Sequence, residues 1–472
     1  MRKCGFILLS LTVIGVAIAG CVWRGPSEHP TDEARRNVRL VSGSDVQKPL
    51  AGSTSCAGRA CHGRLERSNN PDDKYTLDEF TTWVTTDPHV NAYQVLEQQR
   101  SKDIAERLGI VNAKGEPNPH ESARCLACHT TSEAARTPDN PDLAALVKQE
   151  RSLGVGCESC HGNATGWLDK HITKDWQKWK DQPEEKEKYG WVNVAEGAKL
   201  AQRCVGCHVG SPGTGAFPPR DVNHDLIAAG HPRLNFEFSS FWSNLPVHWK
   251  RKDFPHVQRW AVGQLVSAEA ALELLKYRAE ATDKDDDTRV WPEFAEYDCY
   301  GCHHNLTYPS WRQKEGRDRN EQPRGELAWG SWYYPVVESM GLSPLDTLQK
   351  AMEKRNPSRA EVAKALADGH QALSKLHTEW AKSKGTPAEL ARSQIDRLLD
   401  DKRLERESSW DAAEQTFLSL YALNQVAQDA ELQARLARVL PMRAFQPGHN
   451  SPRSDPKLGF LPDEVFKTLS GK

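Results

Sequence analysis

The chain has 472 residues, of which 38 % are hydrophobic, and a formal net charge of −2. That length allows two or three domains, and the near-neutral charge leaves no footprint for nucleic-acid binding. With 15 Trp, 4 Met and few aliphatic residues, the apolar supply is thin for so long a chain unless something other than protein fills part of the core.

In chain order, the first 21 residues read as an address. Arg2 and Lys3 give a basic start, and Phe6–Ile18 an apolar run too short to span a bilayer as a mature helix. Ile18-Ala19-Gly20-Cys21 resembles a bacterial lipobox, which implies lipid attachment at Cys21; an ordinary secretory signal cleaved nearby is the alternative. Residues 22–54 are polar and rich in Pro, Gly, Ser and charge, and read as a flexible tether reaching on the order of 30 Å. No later apolar run reaches the roughly 18 residues of a membrane span. The expectation is an exported protein on the periplasmic side of a bacterial membrane, held there by its N-terminal lipid.

Beyond the leader, which contains Cys4 and Cys21, ten of the 12 cysteines remain and fall into five local pairs. Four are C-x-x-C-H: CLACH at Cys125–His129, CESCH at Cys157–His161, CVGCH at Cys204–His208 and CYGCH at Cys299–His303. Chance would supply on the order of 0.01 such matches. Disulfides would not require a His after every second Cys, and zinc ribbons need pairs to converge, which would leave an odd pair over. The pattern is that of covalent haem c: two thiols become thioethers to the ring, and the next His is held under the iron. The fifth pair, in SCAGRACHG, has a longer loop between Cys56 and Cys61 but keeps Cys61-His62 intact, and Gly58 gives the loop room to bulge. Five covalent haems are expected. The thioether pairs are Cys56 with Cys61, Cys125 with Cys128, Cys157 with Cys160, Cys204 with Cys207 and Cys299 with Cys302. The proximal ligands are His62, His129, His161, His208 and His303.

The second axial ligand decides what each iron can do. Met340, Met352 and Met442 lie beyond the last motif, so neutral imidazole is the natural choice. His89, just before a likely helical stretch, His120, five residues before Cys125, and His171, ten residues after His161, are candidates. So are His224 and His231, with Pro232 ending the helix so that the two serve different irons. His248, His256 and His304 are weaker candidates.

At this point CHG…W…DPH, RCLACHTT and GVGCESCHGNATGW…H resemble the multihaem cytochromes related to cytochrome c-554 and c-prime. The resemblance covers roughly Ser55 to His208 and extends weakly to His303. It implies a mainly α-helical, loop-rich fold, haems packed in close pairs, electron transport in the periplasm, and His89 and His171 as distal ligands. This chain departs from cytochrome c-554 in having five motifs rather than four, a longer first loop and a tail of about 170 residues after the last motif.

The expected organisation is a haem domain over 55–309 and a helical C-terminal region over 310–472. His256–Glu280 places Trp260, Leu265, Ala268, Leu272 and Leu275 at helical spacing. Ser343-Pro344 reads as a helix start, and Ser358 with Glu361 as a capping box. The helix that follows carries Val362, Leu366, Leu373 and Trp380 on one stripe with His370 and His377, which read as hydrogen-bonded core histidines. Further helices are expected over Trp410–Gln425 and Ala430–Val439. No catalytic motif accompanies them. The functional expectation is a tethered carrier passing electrons between other redox proteins through mostly bis-His haems. Alternatives are an oxidoreductase acting on a small nitrogen or sulfur compound at one five-coordinate haem, or a structural role in docking a redox complex. Replacing Cys21 by Ser is expected to release the exported protein from the membrane fraction; unchanged membrane association would refute the lipid anchor.

Overall fold

The computed structural model describes residues 50–70, 75–135, 138–179, 182–214, 217–233, 235–249, 255–281, 290–298, 327–330, 333–341, 345–400, 410–443 and 461–471. They belong to one compact unit that begins at Val46. Cys21, most of the expected tether, the fifth motif (Cys299, Cys302, His303), His304, Ser343-Pro344 and the expected boundary at 309/310 lie outside the described residues.

The fold is mainly α with much irregular loop. Among the described residues, β pairing is confined to three isolated bridges, Val111 with Pro117, Ser211 with Arg220 and Tyr297 with Trp329. The first half runs through α1 (Glu79–Thr86), α2 (Gln99–Arg107), α3 (Ala123–His129), α4 (Pro141–Ser152) and α5 (Cys157–His161). It continues with α6 (Lys174–Lys178), α7 (Pro183–Glu187), α8 (Gly197–His208), α9 (His224–Ala228) and α10 (Phe238–Asn244). Most are one to three turns long, too short to persist alone in water, so tertiary contacts must hold them. Side-chain caps define several starts. Asn140 accepts the backbone N–H groups of Asp142 and Leu143, and Asn223 that of Leu226.

Apolar packing is sparse as far as α5 and fuller around α8 and α10, where Leu200, Ala201, Val205, Val209, Phe236 and Phe238 cluster. Leu50, Ala134 and Val147 form one small cluster and Leu96, Leu126 and Ala135 another. Leu50 shows that packing starts before the first thiol pair. Residues 50–54, read from sequence as the end of the tether, are seated: the Ala51 and Gly52 N–H groups donate to Glu158, and Ser53 to Glu150, both buried carboxylates. A polar composition suggested a solvated coil, but these carboxylates need donors once buried.

The main apolar core lies around α11 (His256–Ala279) and the C-terminal helices. These are α12 (Pro335–Ser339), α13 (Asp346–Met352), α14 (Arg359–Ala381), α15 (Pro387–Leu398), α16 (Trp410–Ala427), α17 (Ala430–Val439) and α18 (Leu461–Ser470). The expected residues Trp260, Leu265, Ala268, Leu272 and Leu275 are all buried on α11, but Gln264, Val266 and Ser267 on other faces are buried as well. α11 packs against α14 on one side and α8 on another, so it is a central helix rather than an amphipathic surface one. Val362, Leu366 and Leu373 of α14 are buried as the stripe requires.

The capping box at Ser358 does not form. No side chain caps α14, and Glu361 pairs instead with Lys354 at 2.7 Å. The box is found at α15, where Thr386 and Glu389 satisfy each other's backbone N–H groups ahead of Pro387. His370 stands 3.3 Å from Glu273 of α11. Among the described residues no helix is long and apolar enough to cross a membrane.

Gly263 marks a close helix crossing. A Cβ there would lie 2.4 Å from Cβ of Phe238 on α10. Gly263→Ala must therefore push α10 and α11 apart, at a cost of about 1–3 kcal/mol, read as a lower midpoint in denaturant unfolding of the mature protein.

Candidate haem sites

Three of the four described motifs are built alike. α3, α5 and α8 each end on the motif histidine, at His129, His161 and His208. Helical geometry puts the two cysteines of each motif three residues apart on one face, with the His one position further round. The pairs so placed are Cys125 with Cys128, Cys157 with Cys160 and Cys204 with Cys207. Arginines fasten these helices. Arg220 donates to the Ala127 carbonyl in the last turn of α3 at 2.7 Å, and Arg203 of α8 to the Ser159 carbonyl of α5 at 2.9 Å.

The first motif is built differently. Ser53–Cys56 is a 3-10 turn, after which the chain folds back: Cys61 N–H donates to Gly58 O (2.8 Å) and His62 N–H to Cys56 O (3.3 Å). The extra residues thus form a closed turn that returns His62 beside Cys56. The glycine this requires is Gly63, where a Cβ would fall 1.9 Å from the Ala57 carbonyl oxygen; a Cβ on Gly58 would meet only Cys61, its Sγ at 3.5 Å. The bulge expected of Gly58 is unnecessary.

All eight described motif thiols are free. They are not scattered. Cys56 of the first motif lies beside Cys157 of the third, and Cys128 of the second beside Cys207 of the fourth. Burial pushes the Cys160 thiol up to about 11 and also raises Cys125 and Cys204.

Histidines face one another across the motifs. The ring centres of His62 and His171 are 6.4 Å apart, those of His129 and His231 6.4 Å, and those of His208 and His89 6.2 Å. Two imidazoles bound through nitrogen to one metal, at about 2.0 Å each, bring their ring centres about 6 Å apart. The opposite nitrogens are occupied. Nδ1 of His62 bonds Glu79 (3.0 Å), of His89 Asp87 (2.8 Å), of His129 the Ala92 carbonyl (2.7 Å), of His231 the Pro232 carbonyl (2.9 Å) and of His171 the Leu168 carbonyl. In these five rings Nε2 is the nitrogen left to meet a metal.

Burial pushes His161, His208 and His231 down to about 4, and also lowers His129. These rings are neutral, the form a metal needs. Hydrogen bonds donated to carboxylates raise His62 and His89 instead. Exposed aromatic rings flank several of these histidines: Tyr75 beside His62, Phe241 beside His208 and Phe294 beside His224. The residues present fit haem: paired thiols, a neutral His behind them, a facing His at axial spacing and aromatic walls.

The other candidates are placed as follows. His224 opens α9, with its N–H on Glu293 (2.8 Å) and its ring against Phe294, five residues before Cys299. His120 sits in a 3-10 turn with Nδ1 buried and unbonded. His161 has no facing ring among the described residues. His248, a weaker candidate on sequence, lies near His161, and its own Nδ1 lies 3.3 Å from the Pro246 carbonyl. Sequence reasoning also missed Glu79 and Asp87. Asp87 sits two residues before His89 and could have been found from that spacing; Glu79 is 17 residues from His62 and only the fold joins them.

Thiol pairs followed by a histidine, repeated and matched by facing histidines, define the class as c-type cytochrome. Residues 55–162 match the family model of cytochrome c554 and c-prime, and over that segment the chain is similar to that family. Comparison with curated proteins and with solved structures finds no match to the chain.

Glu158, the second residue of the third motif, accepts the N–H groups of Ala51, Gly52 and Ala164 from inside the protein. Glu158→Ala strands those donors and is expected to cost about 3 kcal/mol. It should also make the chain near residue 50 newly sensitive to limited proteolysis.

Proposed function

We propose that this protein is an exported electron carrier that binds five haems c and passes electrons between other redox proteins. The observation that carries the reading is the three facing histidine pairs, His62 with His171, His129 with His231, and His208 with His89. An iron with two protein ligands has no open position for a substrate, so its chemistry is one-electron transfer. The chain's own residues hold the rings. The carbonyls of Ala92, Leu168 and Pro232 and the carboxylates of Glu79 and Asp87 fix each imidazole's orientation through Nδ1. The thiol contacts support close haem spacing, because they bring the first motif against the third and the second against the fourth. His224, beside the chain entering the fifth motif, is the proposed partner of His303. A lipid on Cys21 is the proposed anchor at the periplasmic face of the membrane.

A second reading attaches to His161, which lacks a facing ring among the described residues. A haem held there by Cys157 and Cys160, with one open position, would bind and transform a small molecule such as a nitrogen or sulfur compound.

Mass measurement of the mature protein is expected to count five haems; four would leave the first motif empty. Spectroscopy of the oxidised protein is expected to show low-spin haem throughout. A high-spin fraction of about one haem in five would favour the second reading. His171→Ala, His89→Ala and His231→Ala are each expected to convert one low-spin haem to high-spin, and unchanged spectra would remove the pairing.

A further inference from the structure

The histidine supports are of two kinds. His129, His231, His171 and His248 lean on backbone carbonyls. His62 and His89 lean on carboxylates, Glu79 Oε2 at 3.0 Å and Asp87 Oδ1 at 2.8 Å. Neither carboxylate is a chance surface neighbour. Glu79 is the first residue of α1, and its other oxygen accepts both Thr76 N–H (3.0 Å) and Thr76 Oγ1–H (2.9 Å). The helix is tied to the motif by Phe80 N–H donating to His62 O (2.9 Å). Asp87 is 5 % exposed, and the oxygen that bonds the His89 ring also accepts the His89 N–H at 3.0 Å, capping the turn at Pro88–Asn91. Each carboxylate is oriented by donors that have no need of a metal.

We propose that Glu79 and Asp87 are potential-setting residues, each lowering the reduction potential of the haem whose axial histidine it holds. The proposal rests on the reading of His62 and His89 as axial ligands. A carboxylate on Nδ1–H makes the imidazole a stronger donor than a carbonyl does. It also places a negative charge near an iron that carries one more positive charge when oxidised. Both effects stabilise the oxidised state. The His62/His171 and His208/His89 sites are then the low-potential ones, and the His129/His231 site, supported by two carbonyls, is the higher. Among these three sites, electrons come to rest at His129/His231.

The test is a spectroelectrochemical titration of the mature full-length protein against Glu79→Gln and Asp87→Asn. The amide keeps shape and, at 87, capping ability, while removing the charge. Each variant is expected to raise the midpoint of a single haem component and leave the others in place, with the haem count by mass and the low-spin spectrum unchanged. A titration curve unaltered in both variants, or one in which all components rise together, overturns the proposal. If Glu79→Gln fails to mature, Asp87→Asn decides alone. His89→Ala separates the two levels. If it creates no high-spin haem, the ligand reading has failed; if it does, while Asp87→Asn leaves the curve unmoved, only the tuning by Asp87 has failed.

Discussion

Opposed imidazole rings are the constraint on which the first half of this molecule depends. Each facing pair joins positions roughly a hundred residues apart in the chain, because His171, His231 and His208 lie that far beyond His62, His129 and His89. Closing loops of that length costs entropy that grows only slowly with length. With an iron between each pair, as proposed above, one link per loop would order a great deal of chain. As far as α5 the short helices have few apolar neighbours of their own beyond the two small clusters around Leu50 and Leu96, whereas α8 and α10 share a larger one around Val205 and Phe238.

The polar framework completes what the rings begin. Glu150 and Glu158 are buried carboxylates that collect donors from residue 51 onward, from Thr131 and from Ala164. Arg278 plays the corresponding part further along: it is buried, paired with Asp221 and Glu296, and binds α11 to the segments on either side of it. Charges this deep are tolerable only when fully partnered. In the C-terminal half the balance reverses, and ordinary apolar packing of α11, α14, α15 and α16 carries the structure.

The motif histidines, the helical class and the apolar spacing of His256–Glu280 were legible in the sequence, because spacing alone expresses them. Cys-x-x-Cys-His reads the same wherever it lies, and a periodic apolar stripe needs no partner to be recognised. What escaped was everything that depends on which distant residue arrives. His248 looks unremarkable in sequence, and only the fold brings it near His161. Glu361 had both Ser358 and Lys354 within reach, and took the lysine. Gly58 looked like the residue that gives the first motif's loop its room, until the path of the chain made Gly63 the glycine that must lack a side chain.

The placement of the thiols sets a rule for assembly. Of the eight described motif cysteines, Cys61 alone is exposed; the other seven, Cys160 among them, are partly enclosed by the fold. A ring system the size of a porphyrin cannot be bonded to thiols that the finished fold has already closed around. Attachment at the second, third and fourth motifs must come while the chain is still open, and folding must wait for it. At the first motif only Cys61 lies on the outside of its closed turn; Cys56 is enclosed with the others, so the same order holds there.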